Sequence, residues 1–233
     1  MWQLNVPHEG VKVFDSPEAR EINLARLEHL ESCNLPLEKK RVLDVGCGIG
    51  HLAQFFVLKD CEIVCLDGRP ENVEKLRRYS PEIRTEVIDV ETGSFSELGT
   101  FDIVFCYGLL YHLENPLHVL KRLAEVCKEM ILIETMVTDS KLPLTILVRE
   151  SPDLNQSLSG IGNRPSPSYV LTGLEAAGYP FLYVPKTPPS HPDFTYTWKN
   201  NLQYTRNRHN LRAVFIGSRV PFSNPRLRQV AAR

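Results

Sequence analysis

The sequence predicts an α/β protein, a parallel sheet with helices on both faces. Three observations carry that reading. Short apolar runs alternate with amphipathic segments from Arg41 to Met136, the rhythm of repeated strand–helix units. The runs RVLDV, CEIVCLD, FDIVFCY and MILIETM are almost unbroken in apolar residues, as strands covered on both faces must be. The first run passes straight into Gly46, Gly48 and Gly50. Glycine costs backbone entropy, so such a cluster marks a tight turn or a close approach to another molecule.

The elements follow in order. Ser16-Pro17-Glu18 starts a helix with a serine cap and a proline at the first position, and Ile22, Leu27 and Leu30 give it an apolar stripe to about Cys33. RVLDV is the first strand, Leu52 to Leu58 a helix, and CEIVCLD, ending at Asp67, the second strand. Pro70 to Tyr79 is a helix whose charged face carries Glu74, Lys75, Arg77 and Arg78. IRTEVIDV, ending at Val90, is the third strand and FDIVFCY the fourth. Asn115-Pro116 opens a helix by cap and proline, with Leu117, Leu120, Leu123 and Val126 on one face, and MILIETM is the fifth strand.

Residues 137–165 show few clear elements. Ser166-Pro167 then starts a helix through Ala177 that Gly178 stops. FLYVP and LRAVFIGS are strands. Between them runs a long excursion, KTPPSHPDFTYTWKNN, of the kind that is functional or mobile in compact domains. Its Phe194, Tyr196 and Trp198 have strand spacing with one aromatic face, suited to core packing or to a pocket wall. The expected organisation is one domain over residues 1–220, with a helical extension at 1–40, insertions at 137–165 and 186–210, and a flexible tail at 221–233.

Composition bounds the function. A chain of 233 residues, 42% hydrophobic, sustains a single-domain core. It has no run of about 18 apolar residues, so no membrane span is expected. MWQLNVPHEG lacks a basic region followed by an apolar one, so no secretory signal is read there and a cytoplasmic location is expected. The six cysteines form no CxxC pair and no Cys/His ligand spacing, which points to buried free thiols and no metal site. Charge is uneven. Residues 1–150 hold 17 Lys and Arg against 25 Asp and Glu, whereas the remainder holds 10 against 3. The basic C-terminal part is either a solvated face or an attraction for an anionic partner.

The glycine turn excludes two common uses. A dinucleotide fingerprint, G-x-G-x-x-G, would place its third glycine at His51, and the phosphate loop G-x-x-x-x-G-K-[ST] has no Lys-Ser or Lys-Thr here. Another adenosine compound remains. Asp67 closes the second strand 21 residues after Gly46, where a carboxylate accepts hydrogen bonds from ribose hydroxyls. Asp89 stands at the end of the third expected strand, where it can take an adenine amine while Val90 offers a backbone amide.

With these residues in order, the chain resembles the class I S-adenosylmethionine-dependent methyltransferases, through LDVGCGIG, CLDGRPENV, VIDVE and FDIVFCYGLLYHLENP. The resemblance implies a doubly wound, seven-stranded, mostly parallel Rossmann-like sheet of order 3-2-1-4-5-7-6, with its last strand antiparallel, an N-terminal helix and inserted cap segments. It implies S-adenosyl-L-methionine as cofactor and S-adenosyl-L-homocysteine as product. Asp44 would lie beneath the methionine amino group. Gly46, Cys47, Gly48 and Gly50 would form the turn against ribose and methionine, Asp67 with Gly68 would hold the ribose, Asp89 and Val90 the adenine, and Tyr107 would line the sulfonium end.

For methyl transfer to a hydroxyl, a base adds about two to four orders of magnitude in rate. His112, five residues past Tyr107, is the first candidate and His191 in the excursion the second, because an imidazole titrates near neutrality. Enzymes of this kind that methylate exocyclic base amines carry [DNS]-P-P-[FY] after the fourth strand, where CYGLL stands here, and those that attack pyrimidine carbon carry Pro-Cys, which is absent. A hydroxyl or amine of a small molecule is the expected acceptor. The alternatives are a transfer-RNA-modifying enzyme, with Arg206, Arg208 and Arg212 on phosphates and Tyr196 or Trp198 stacking on a base, and a non-catalytic module that binds the cofactor.

Overall fold

The computed structural model describes residues 14–151 and 153–231. The N-terminal residues read for a secretory signal, and the last two residues of the tail, lie outside this range.

Ser16 caps α1 (Pro17–Ser32) by accepting a hydrogen bond from the Ala19 amide at 3.2 Å, with Pro17 in the first turn. The parallel core then runs β1 (Arg41–Val45), α2 (Ala53–Val57), β2 (Glu62–Asp67), α3 (Pro70–Tyr79), β3 (Arg84–Val87), β4 (Phe101–Tyr107), α4 (Pro116–Val126) and β5 (Cys127–Met136). β1 pairs in parallel with β2 and β4, β2 with β3, and β4 with β5. α4 forms without the side-chain cap expected of Asn115. The Glu114 and Asn115 amides instead donate to the Glu91 carboxylate.

Alternation along the strands builds two cores. Leu43, Val64, Val104 and Ile131 face one side, where they meet Leu120 and Leu123 of α4. Val42, Ile63, Ile103 and Leu132 face the other, where they meet Leu27 and Leu30 of α1 and Phe55 and Phe56 of α2. A period of two places successive side chains on opposite faces, so strands apolar at every position are covered twice.

After β5 come β6 (Thr145–Arg149), β7 (Ile161–Pro165), α5 (Pro167–Ala176), β8 (Phe181–Pro185), β9 (Thr205–Arg206), β10 (His209–Asn210), β11 (Arg212–Ser218) and β12 (Leu227–Val230). Among the described residues the main sheet has the order β12-β8-β11-β5-β4-β1-β2-β3. Read from β3, its first seven places reproduce 3-2-1-4-5-7-6, with β11 and β8 as the seventh and sixth strands of that order, and β11 is antiparallel to both β5 and β8.

Four expectations need correction. The tail is not loose throughout: β12 adds an eighth strand, antiparallel to β8, with Leu227 buried and Asn224 bonded to the Cys33 carbonyl. Its polar, arginine-bearing sequence is that of an edge strand with one inward residue. β3 stops at Val87, before Asp89, because that aspartate folds the chain into its own turn. Residues 137–165 hold an antiparallel hairpin, β6 with β7, whose Asn163 is fully buried and bonded to the Leu110 and Leu113 carbonyls at 2.9 and 2.7 Å. Finally, Phe194, Tyr196 and Trp198 lie on no strand: Phe194 is buried, Tyr196 half-buried, and Trp198 is 48% exposed.

Truncation of Leu227 to alanine tests the added strand. Unfolding in urea is expected to show a loss of about 2–3 kcal/mol, the ordinary cost of removing a buried leucine side chain, whereas a loose tail would leave the midpoint unchanged.

Candidate active site

The floor of the site is the glycine turn after β1. Gly46, Gly48 and Gly50 have φ of 74°, 56° and 86°, values that disfavour any side chain. The Gly46 and Cys47 amides both donate to the Leu66 carbonyl, at 2.8 and 2.9 Å, and so tie the turn to β2. A Cβ at Gly46 would stand 2.9 Å from that of Leu109, and one at Gly48 would stand 3.0 Å from the Phe14 ring. Gly50 serves otherwise. Its Cβ would meet Leu76 of α3 at 2.4 Å, and it lines neither cavity described below. It is small so that α3 can pack against the turn.

Asp67 ends β2 and is 9% exposed. One carboxylate oxygen accepts the Gly48 amide at 2.9 Å. The other accepts the Arg69 amide at 2.9 Å and the Asn72 side-chain amide at 3.0 Å. Burial still pushes its pKa up, against these hydrogen bonds. Asp44, in β1, is also buried, and its Oδ2 has no partner among the described residues. Burial first and the charge of Asp67 second push the Asp44 carboxyl up to about 8. Asp44 lines neither cavity. Asp89 lies in a turn two residues beyond β3, and its oxygens accept the Glu91 amide at 2.9 Å and the Thr92 hydroxyl at 2.8 Å. Val90 is buried, and its carbonyl accepts Arg122.

Two cavities meet at this turn. The smaller, about 100 Å³, is lined by Gly46, Gly48, Asp67, Gly68, Asp89 and Val90. Leu158, half exposed, fills the space beside Gly68, where a Cβ would meet its Cδ1 at 2.5 Å. The larger, about 520 Å³, is lined by Gly46, Cys47, Gly48, Tyr107, His112 and His191. His112 belongs to both walls.

His112 is held by a residue the sequence did not single out. Its Nδ1 lies 2.5 Å from Oε2 of Glu150, whose side chain is buried and also accepts the Ser157 amide at 2.9 Å and Arg164 at 3.3 Å. Burial lowers the His112 pKa against the opposing pull of Glu150. Burial pushes Glu150 up, but His112, the Ser157 amide and Arg164 outweigh it and hold the carboxyl below its ordinary value. An ionised Glu150 accepts a hydrogen bond from Nδ1–H and leaves Nε2 as the basic nitrogen. No local pattern announced this pairing, because Glu150 arrives from the end of β6.

The opposite wall is an ion-pair network. Glu134 of β5, fully buried, lies 2.5 Å from Arg26 of α1 and 3.1 Å from Arg212 of β11. Arg212 continues to Asp193 at 3.2 Å and to the Tyr111 hydroxyl at 3.3 Å. The lone glutamate inside MILIETM was the available signal. His191 Nδ1 accepts the Asp193 amide at 3.1 Å, and burial lowers its pKa. Of the arginines expected to track phosphates, Arg212 is thus buried, and Arg206 is bonded to Asp139 at 3.0 Å and to the Thr197 carbonyl. Only Arg208 of these three is exposed and lacks a partner among the described residues.

The glycine turn and the strand-end aspartate meet at the carboxyl ends of β1 and β2, where open α/β sheets bind their ligands. Comparison with known proteins adds to this. Residues 43–129 match the family model of a methyltransferase domain. A ubiquinone biosynthesis O-methyltransferase of Alkalilimnicola ehrlichii is 32% identical over 140 residues, 53% of this chain and 57% of that protein. One from Vibrio cholerae is 35% identical over 141 residues, with the same coverage of each. The chain therefore matches a little over half the length of these curated relatives. The N-terminal domain of EvdMO1, solved with SAH bound, superposes with a TM-score of 0.63 at 23% identity, over 84% of this chain and 80% of that one. Residues 43–129 are thus similar to a methyltransferase domain, and the fold is shared with a solved protein that binds SAH.

Glu150→Gln removes the carboxylate that favours a protonated His112 and leaves burial and Arg164 in place. The imidazole titration followed by NMR is expected to move to lower pH, and an unmoved midpoint would separate the two residues. In the native protein both groups sit below their ordinary values, so their contribution to stability is present at neutral pH and is lost as acid protonates them.

Proposed function

We propose that the chain transfers a methyl group from S-adenosyl-L-methionine to a small molecule, at a hydroxyl in preference to an amine, with S-adenosyl-L-homocysteine as product. The observation that carries the reading is the His112–Glu150 pair at the junction of the two cavities.

The residues at the turn suit the cofactor. Gly46 and Gly48 leave side-chain-free backbone, Gly68, Asp89 and Val90 line the far wall, and Asp67 is placed for a ribose. Leu158 has to withdraw from beside Gly68 for a nucleoside to enter, because a cavity of about 100 Å³ is below the roughly 300 Å³ of ordinary ligand sites. Asp44 lies beneath the turn, outside both cavities, and its Oδ2, without a partner among the described residues, becomes the acceptor for an amino group only if the turn opens toward it; Cys47 and Tyr107 line the neighbouring space.

The bound cofactor supplies an electrophilic methyl group on a cationic sulfur. The chain contributes position and a proton acceptor. Holding two reactants in line is worth up to roughly 7–11 kcal/mol in ideal cases. His112 Nε2 takes the hydroxyl proton, while Glu150 fixes the tautomer and orients the ring. Glu150 acts through His112 and is a positioning residue. His191 lines the same cavity, but its Nδ1 is bonded to the Asp193 amide and it has no carboxylate as close as Glu150 is to His112.

The relatives named for O-methylation support an oxygen acceptor. The inward arginines favour a small molecule over RNA, because Arg206 and Arg212 are already spent on Asp139, Glu134 and Asp193.

Asp67→Ala is expected to weaken cofactor binding by more than about 1 kcal/mol, measured by calorimetry, as hydrogen bonds to the ribose go unmade. His112→Ala is expected to lower turnover about 10²- to 10⁴-fold with cofactor affinity near normal. Turnover at the native rate would remove His112 from the chemistry.

A further inference from the structure

A cavity of about 640 Å³ lies on the other side of the excursion, between α5, the edge of the sheet at β8, β11 and β12, and residues 186–200. None of the residues assigned above to the cofactor or the base lines it. Its floor is apolar: Phe215 of β11, Val184 of β8, Val230 of β12 and Leu171 of α5. Its outer wall is aromatic. Tyr196 and Trp198 meet edge to face, with ring centroids 4.6 Å apart, and the Tyr196 hydroxyl is anchored on the Arg212 carbonyl at 3.3 Å. Trp198 remains 48% exposed. An apolar hollow of this size, walled by a half-exposed tryptophan, has the character of a ligand site.

The rim selects the ligand's charge. Lys141, Lys199 and Arg228 stand around it, all exposed, and their charged groups have no hydrogen-bond or ion-pair partner among the described residues. The one acidic residue in the lining, Asp139, is already saturated. Its oxygens accept the Lys199 and Asn200 amides at 2.7 and 2.8 Å and the Arg206 guanidinium at 3.0 Å. Arg212, which also borders the cavity, is balanced by Glu134 and Asp193. The cavity therefore joins an apolar floor to three uncompensated cations.

We propose that this cavity is a second ligand site, which takes a small amphipathic organic anion of the medium-chain or aryl carboxylate class. The apolar body lies on Phe215, Val184 and Leu171, beside the Trp198 ring. The carboxylate lies among Lys141, Lys199 and Arg228. The site is independent of methyl transfer, so its failure leaves the proposed function standing and the reverse also holds.

Trp198 supplies the readout, because the chain has only one other tryptophan, Trp2. In the full chain carrying Trp2→Phe, without cofactor, titration with laurate below its aggregation concentration is expected to change Trp198 emission saturably. Dodecyltrimethylammonium, of equal chain length and opposite charge, and butyrate, with the charge but little body, are expected to bind far more weakly. Lys199→Glu with Arg228→Glu is expected to weaken laurate by about tenfold or more, since two favourable exposed pairings become repulsive, while the thermal melt confirms a folded protein. The proposal is overturned if laurate gives no saturable response, if the cationic chain binds as well, or if the charge-reversed protein binds laurate unchanged. A salt-sensitive response to bulk transfer RNA in place of laurate would also overturn it and would assign this face to nucleic acid.

Discussion

A carboxylate sealed from water has to be matched by cations, and Glu134 is such a group. It projects from β5 and is met by Arg26 of α1 and by Arg212 of β11. Arg212 then reaches Asp193 in the excursion and the hydroxyl of Tyr111 in the turn after β4. One buried charge thereby fastens the N-terminal helix, two sheet strands and an inserted segment to each other. Removing one partner from a buried pair costs about 3–5 kcal/mol, because the remaining charge is stranded. The cavity beside His112 and His191, lined by Arg26, Asp193 and Arg212, takes its shape from this balance.

The mouth of the candidate site has a stiff side and an assembled side. The stiff side is the glycine turn, held to β2 by the Leu66 carbonyl and by Asp67. It is formed by backbone whose conformation only glycine adopts readily. The assembled side is brought together by insertions. The β6–β7 hairpin, locked to the turn after β4 by Asn163, delivers Glu150 to His112 and Leu158 to Gly68. Arg69 and Asn72 also bond the carbonyls of the 154–157 stretch, so the residues around Asp67 hold the cover as well as the floor. The surroundings of Asp67 and His112 are thus joined mechanically through one loop.

Several features were misjudged from the sequence, each for a physical reason. IRTEVIDV reads as one strand, but an aspartate that bonds its own downstream amide and hydroxyl ends the ladder early. The alternation of Phe194, Tyr196 and Trp198 imitates a strand, although no ladder partner among the described residues faces it. LRQV at the C-terminus is too polar to read as a strand, yet pairing along β8 and one buried leucine are enough. Gly50 stands in the nucleotide-type turn but serves the packing of Leu76.

Much was nonetheless decided locally. Strand period, proline-led helix starts and the φ demanded of Gly46 and Gly48 depend on neighbouring residues alone, so the sequence by itself determined the parallel core, the order of its elements and the place of the glycine turn. The pairings that make the site chemical were decided only in three dimensions. His112 and Glu150 are 38 positions apart, Arg26 and Glu134 are 108, and Glu134 and Arg212 are 78. Such partners meet because burial forces each charge to find an opposite one, and which groups become buried together is a property of the packed fold and not of any stretch of chain.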